Sequence, residues 1–418
     1  MQTKPSVKKT ALLFFAHIMP ALHIFNPGHE MAVLLGAVNY TPPANVRMIT
    51  ADLSLLPLWY AESSDFVYVE KGVDAGYIGT LPKALGPFAT IFTKAMPERG
   101  MHFSEKWMAK PWGISPHILN VFNGLSNMGY PVEVPDWKEQ LKILTGRQTA
   151  IDCLRQIAQS LPVDFLLDVP ECCDSIEAVE AKLTQRKQPL VIKAPYSSSG
   201  RGILWLRDDF LSDSEKKWIS GAILKQGFVS MEKGYDKVLD FAMEFHSDGC
   251  GRIRYEGLSV FGTERKGAYT GNRLASQDAL CQELEALTGK DCLSRIRDAV
   301  EEVLQKVYAP HYFGCLGVDM MIYRKEDGLL AIHPCVEINM RYTMGMVALQ
   351  LFRRYIAPLA EGSFHITFDK EKGVALAKHN DLLAGHPLQI EKGKISQGYL
   401  SLCPVNDRTH YRAYLIIP

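Results

Sequence analysis

"VIKAPYSSSGRG", residues 191–202, places a lysine at the end of an apolar run and follows it with a stretch made almost entirely of small side chains. The first part reads as a strand and the second as a loop. Loops of Ser and Gly let backbone N–H groups close on an anion, because no bulky side chain blocks the approach and glycine adopts dihedrals that other residues avoid. Lys193 at the strand end adds a full positive charge beside such a nest, and phosphate is its natural guest. The pattern is not GxxxxGK[ST], so the loop is not of the Walker A kind. Taken alone, a Ser/Gly loop between two strands is more often a simple turn.

A second cluster lies downstream. "GCLGVDMMIYR" (314–324) and "LLAIHPCVEINM" (329–340) read as strands, and the "KEDG" between them (325–328) makes an antiparallel hairpin. A turn centred near residue 328 sets Asp319 opposite Glu337, and Asn339, two residues on, shares the face of Glu337. Both acids sit inside apolar runs, where an uncompensated charge is costly. Two carboxylates and an amide oxygen on one face of a sheet form a hard-oxygen seat suited to Mg²⁺, with water and phosphate completing its shell. A third piece, "VSMEKGYDKVLDFAMEF" (229–245), puts Glu232 after one strand and Asp240 where the next begins. Such acids accept hydrogen bonds from an adenine amino group or a ribose hydroxyl, although a charged hairpin is the plainer reading of this piece by itself.

The order of these pieces resembles the ATP-grasp family over roughly residues 145–350, about half the chain. The resemblance implies an α/β (α+β) fold in which two subdomains with antiparallel sheets grip ATP, preceded by a small α/β N-terminal domain. It divides the chain into 1–145, 146–228 with the phosphate loop, 229–365 with the metal seat, and a closing segment 366–418. In residue terms it assigns Lys193, Ser197, Ser198, Ser199, Gly200, Arg201 and Gly202 to the phosphates, with Arg147 in "LTGRQTAIDCL" as the first basic residue. Glu232 reads the adenine, Asp240 the ribose, and Asp319, Glu337 and Asn339 hold two Mg²⁺ ions. Many members carry an arginine two residues before the metal-binding aspartate, where this chain has Gly317. The missing cation then comes from Arg265 or Lys266 in "FGTERKGAYTGN", or from Arg341 directly after the metal motif.

The activity implied is that of a carboxylate–amine ligase. ATP converts a small-molecule or peptide carboxylate to an acyl phosphate, an amine attacks it, and ADP and phosphate leave. Tyr269 and Asn272 follow the basic pair and are substrate candidates. His29 in "FNPGHEMAV" is a further one, although an acid such as Glu30 at a helix start is ordinarily a dipole partner. Two rivals are a kinase-like member of the same fold and a non-catalytic nucleotide-binding module.

Bulk properties narrow the partners. Lys+Arg and Asp+Glu are both 46, so no net field draws nucleic acid or an anionic membrane, and any bound anion must be held locally. The nine cysteines form no CxxC pair and read as core filler in a reducing compartment. "MQTKPSVKKTALLFFAHIMPAL" superficially suits a signal peptide, but its apolar run continues into "HIFNPGHE" without a polar break. Residues 1–18 are therefore expected as a floppy leader of a cytoplasmic protein. No segment approaches the ~20 apolar residues of a membrane span. A homodimer is compatible with all of this.

Overall fold

Apolar runs punctuated by Pro and Gly become a parallel sheet in the first part of the chain. The computed structural model describes residues 19–70, 76–93, 105–162, 168–185, 189–197, 202–263 and 269–418. The strands of the first sheet are β1 (Ala21–Ile24), β2 (Phe66–Val69), β3 (Thr90–Thr93), β4 (Trp107–Pro111) and β5 (Val132–Glu133), in the order β3-β2-β1-β4-β5. Every pairing in it is parallel. The short helix His29–Leu35 follows β1, so His29 and Glu30 lie just beyond the end of a central strand.

The second sheet is antiparallel and consists of β6 (Glu171–Cys173), β7 (Leu190–Lys193), β8 (Ile203–Leu206) and β9 (Val229–Lys233), in the order β6-β9-β7-β8. Alternation along the strands decides its faces. Leu190, Ile192, Val229 and Met231 pack against Val179, Leu183 and Ile219 of the helices Ile176–Leu183 and Asp213–Gln226. Lys193 and Glu232 belong to the alternate set and lie on the other face.

The third sheet takes nine strands: β10 (Asp236–Asp248), β11 (Ile253–Thr263), β12 (Tyr269–Leu274), β13 (Phe313–Arg324), β14 (Leu330–Asn339), β15 (Gly362–Phe368), β16 (Gln389–Glu391), β17 (Lys394–Ser401) and β18 (Tyr411–Ile417). Their order is β14-β13-β10-β11-β12-β15-β18-β17-β16. In β10, Phe241, Met243 and Phe245 bury toward the helices Gln277–Thr288 and Cys292–Val307. The second of these presents Leu293, Ile296, Val300, Val303 and Leu304 at helical spacing, which is why it lies flat on the sheet. Asp240 and Glu244 occupy the opposite face of β10. The residues from 366 on, marked by the sequence as a closing segment, supply β16, β17 and β18 at one end of this sheet.

A register irregularity fixes the hairpin's chemistry. Near the turn Arg324 pairs with Leu330 and Met321 with His333, but Asp319 pairs with Glu337. Two extra residues on β14 are therefore absorbed between His333 and Glu337, in a stretch that contains Pro334, which has no N–H to give to the ladder. Without that bulge Cys335 would face Asp319.

One core joins the first sheet to the third. Leu55, Trp59, Val67 and Ile91 pack with Phe364, Leu402, Ala413 and Leu415, and the Trp59 indole N–H donates to the Leu402 carbonyl at 2.6 Å. Cys153, Cys173, Cys315, Cys335 and Cys403 are buried free thiols, and among the described residues no helix is long and apolar enough to cross a membrane. Because Trp59 is shared between the two sheets, Trp59→Ala is expected to cost about 3–5 kcal/mol and to lower one common unfolding transition. Urea denaturation followed by far-UV circular dichroism and by Tyr fluorescence checks this; two separated transitions in the variant contradict it.

Candidate active site

The loop after β7 is closed at its neck. The Ala194 N–H donates to the Gly202 carbonyl at 2.9 Å, and a Cβ at Gly202 would collide with Ser197. Only glycine fits there, so the small-residue loop begins and ends at one point beside Lys193. Ser198, Ser199, Gly200 and Arg201 lie outside the described residues, as do Arg265 and Lys266.

Arg147 ties this loop to the hairpin. The helix Arg147–Ser160 has no side-chain cap, and its first N–H donates instead to the Pro195 carbonyl at 3.2 Å. The buried Arg147 side chain donates from Nε to the Ala194 carbonyl at 3.2 Å and from Nη2 to Glu337 Oε1 at 3.0 Å. Lys193 and Glu232, both nearly buried, form an ion pair on the exposed-side set of the second sheet. Across the gap, His333 on β14 is coupled to both of them, and burial lowers its pKa to about 4.

The seat itself has the registered pair Asp319 and Glu337, with Asn339 Nδ2 donating to Asp319 Oδ2 at 3.0 Å. Burial, then the Glu337 carboxylate, push Asp319 well above its ordinary value; Arg341 and Asn339 pull weakly the other way. A carboxyl in that position ionises readily only when a cation is supplied. Among the described residues no three His, Cys, Asp or Glu side chains cluster as metal ligands. Two carboxylates and an amide oxygen nevertheless fit Mg²⁺, which commonly takes one or two carboxylates and completes its shell with water and phosphate.

Two solved structures share this architecture. The biotin carboxylase domain dimer of a 2-oxoglutarate carboxylase from Hydrogenobacter thermophilus, in complex with MgADP, ADP and bicarbonate, is 11% identical, with a TM-score of 0.51 over 96% of this chain and 86% of that one. The biotin carboxylase–βγ-ATP complex from Campylobacter jejuni is 13% identical, with a TM-score of 0.50 over 96% of this chain and 88% of that one. The chain has the ATP-grasp fold. No family model matches it, and neither does any curated protein.

Within this fold, the helix after β1 reaches the end of the β13–β14 hairpin. Glu30 Oε1 accepts from Arg341 Nε at 2.6 Å, although the two are 311 residues apart. Burial opposes ionisation of Glu30, but His29 and Arg341 outweigh it and hold its carboxyl well below the ordinary value. The sequence gives no local sign of this contact; only the position of Arg341 after the acidic motif hints at a partner. His29, Glu30, Gly146, Arg147, Tyr196, Ser197, Glu337 and Asn339 line one small cavity of about 20 Å³.

Gly317, where the family pattern has arginine, is explained by packing. A Cβ there would meet the Thr343 methyl at 2.6 Å and Glu244 Oε2 at 3.0 Å. Glu244 is fully buried and accepts from Ser259 Oγ at 3.0 Å and Thr343 Oγ1 at 2.8 Å. Thr343 in turn caps the helix Met344–Tyr355 through the Met346 N–H. Sequence reasoning gave Glu244 no role, and only its place in an apolar run marked it.

The remaining candidates are engaged locally. Asp240 Oδ2 accepts from Lys237 Nζ at 2.5 Å and Thr263 Oγ1 at 2.6 Å, on the same face of β10 as Glu244. Tyr269 donates its hydroxyl to Asn272 Oδ1 at 2.5 Å, and Asn272 Nδ2 donates to the Val260 carbonyl. These two residues thus satisfy one another within β12 and β11, and neither lines the cavity beside Glu337.

Burial raises the Glu244 carboxyl from 4.5 to about 7, against the pull of its Thr343 and Ser259 hydrogen bonds. The fold prefers its neutral form, so its contribution is complete below the unfolded value and is lost as pH rises toward about 7. Glu244→Gln does not titrate. It should gain on the wild type by up to about 3 kcal/mol between about pH 5 and about pH 8 in urea unfolding; a difference that does not change with pH sinks the assignment.

Proposed function

We propose that the protein is a Mg²⁺- and ATP-dependent ligase that activates a substrate carboxylate as an acyl phosphate for attack by an amine. The observation that carries this reading is the half-buried Asp319–Glu337–Asn339 cluster, bridged by Arg147 to the neck of a small-residue loop. The ligands named for the two structures of the same fold, MgADP with bicarbonate and βγ-ATP, support it.

In this reading Lys193 and the backbone of the loop hold the phosphates, Glu232 and the adjacent main chain hold the adenine, and Asp240 holds the ribose. Asp319, Glu337 and Asn339 hold Mg²⁺, which supplies charge neutralisation at the β- and γ-phosphates when bound. Arg341, partly buried and close enough to both carboxylates to feel their charge, is the described cation best placed to stabilise charge on the transferring group. Arg265 and Lys266 are the other proposed sources. The cavity of about 20 Å³ is far too small for a nucleotide and is not lined by Lys193, Glu232 or Asp240, so in this reading ATP lies beside it, under the small-residue loop. Closure of that loop excludes water from the acyl phosphate. No side chain need act as nucleophile.

The ligase reading is preferred to a bare nucleotide-binding module because the metal acids are complete. A kinase-like reaction differs in needing no amine. ADP release is therefore screened against pooled small carboxylates and peptides, with and without an amine pool. The expected result is release that requires Mg²⁺ and rises with amine, and Glu337→Gln should lower it at least about 100-fold while the circular dichroism spectrum is unchanged. Full turnover in that variant overturns the metal assignment, and a stable phosphorylated product without amine favours the kinase.

A further inference from the structure

Among the described residues, three buried polar atoms in the cleft have no hydrogen-bond partner: His29 Nδ1, His29 Nε2 and Glu30 Oε2. His29 Nδ1 lies 3.2 Å from Glu30 Oε2, an ion-pair separation without hydrogen-bond geometry. Leaving such groups unpaired in a buried place costs free energy, so their persistence calls for an explanation. Their position is fixed from below. A Cβ at Gly113 would strike the His29 ring, and Gly113 is pinned by Asn26, which donates to its carbonyl at 2.7 Å and accepts from its N–H at 3.2 Å.

The chemistry of these atoms selects a guest. Glu30 is anionic and its Oε1 already engages Arg341, so the free Oε2 repels carboxylate or phosphate and accepts from a donor. With the ring proton on Nδ1, His29 Nε2 presents a lone pair to the cavity. The cavity that both residues line is about 20 Å³, room for one water-sized group, and Glu337 and Asn339 form its other wall. An amino group has that size and offers two N–H donors to two acceptors.

We propose that His29 and Glu30 form the subsite for the amine nucleophile, with His29 as its base. The proposal rests on the ligase reading above. The amine lone pair attacks the acyl-phosphate carbonyl carbon, a C–N bond forms, and the C–O bond to phosphate breaks with its electron pair leaving on inorganic phosphate. The proton that the nitrogen gives up passes to His29 Nε2, while the backbone at Gly113 fixes the ring and Glu30 lies beside it. The N-terminal domain thereby provides the second half of the reaction and the ATP-grasp subdomains the first.

The test uses the whole protein, a carboxylate that supports ADP release, and two amine probes: ammonium chloride, and hydroxylamine, which is unprotonated at neutral pH and attacks acyl phosphates without help. His29→Gln should lower amide formation with ammonium by roughly 100-fold or more while lowering hydroxamate formation far less. Glu30→Gln, which retains an oxygen for Arg341, should raise the KM for ammonium at least about tenfold with a smaller change in kcat. Equal losses with both probes, or none with ammonium, overturn the proposal. A readout free of turnover separates the two hypotheses. In protein labelled with ¹⁵N-histidine, the His29 ring resonance, assigned by its absence in His29→Gln, should shift on titration with methylammonium and not with tetramethylammonium. No such shift defeats the amine subsite even where ligase activity is found, whereas a shift without any ADP release leaves the subsite standing and defeats the ligase.

Discussion

Two carboxyl groups facing each other across neighbouring strands, in a stretch of sheet walled by apolar residues, are an unstable arrangement unless something positive lies between or beside them. Asp319 and Glu337 are in that position, and much of the cleft answers to it. Arg147 reaches Glu337 from the helix that begins at the loop neck, and Arg341 faces both acids from the end of the hairpin. Arg341 in turn brings in Glu30, so the charge requirement of one strand pair draws the N-terminal domain onto the hairpin. In the proposed reading this cluster of opposed charges is where a divalent cation and a polyphosphate would be held.

Much of the second and third sheets was legible because their patterns are local. The strand ending at Lys193 and the strands on either side of "KEDG" follow from periodicity and turn chemistry over a dozen residues or so. Counting outward from residue 328 sets Asp319 against Glu337, yet the ladder nearest the turn is centred one residue earlier. The bulge containing Pro334 makes up the difference, a correction that periodicity alone does not supply. The partners of Arg341 and Glu244 were illegible for a different reason. Glu30, Ser259 and Thr343 reach them only through tertiary packing, and nothing near either residue in the chain announces it.

Gly317 shows how a departure from a family pattern is read physically. The absence of an arginine there looks, in sequence, like a lost cation. In the fold the space above Gly317 is filled by Thr343 and Glu244, a buried hydroxyl–carboxyl contact that also secures the start of the helix Met344–Tyr355. That helix begins three residues after Arg341, so the same packing that forbids a side chain at 317 anchors the chain just beyond the arginine facing the acids. Under the proposed function, Arg341 would supply from the end of the hairpin the cation that position 317 has no room for.

The contact between Trp59 and Leu402 spans 343 residues. During synthesis the parallel sheet therefore emerges long before β17 and β18 exist to cover it, and Leu55, Trp59 and Ile91 wait with an uncovered apolar surface. Long-range closure of this kind slows folding and exposes sticky intermediates. A nascent chain of this protein therefore carries an apolar face open to misassociation until β17 and β18 have been made.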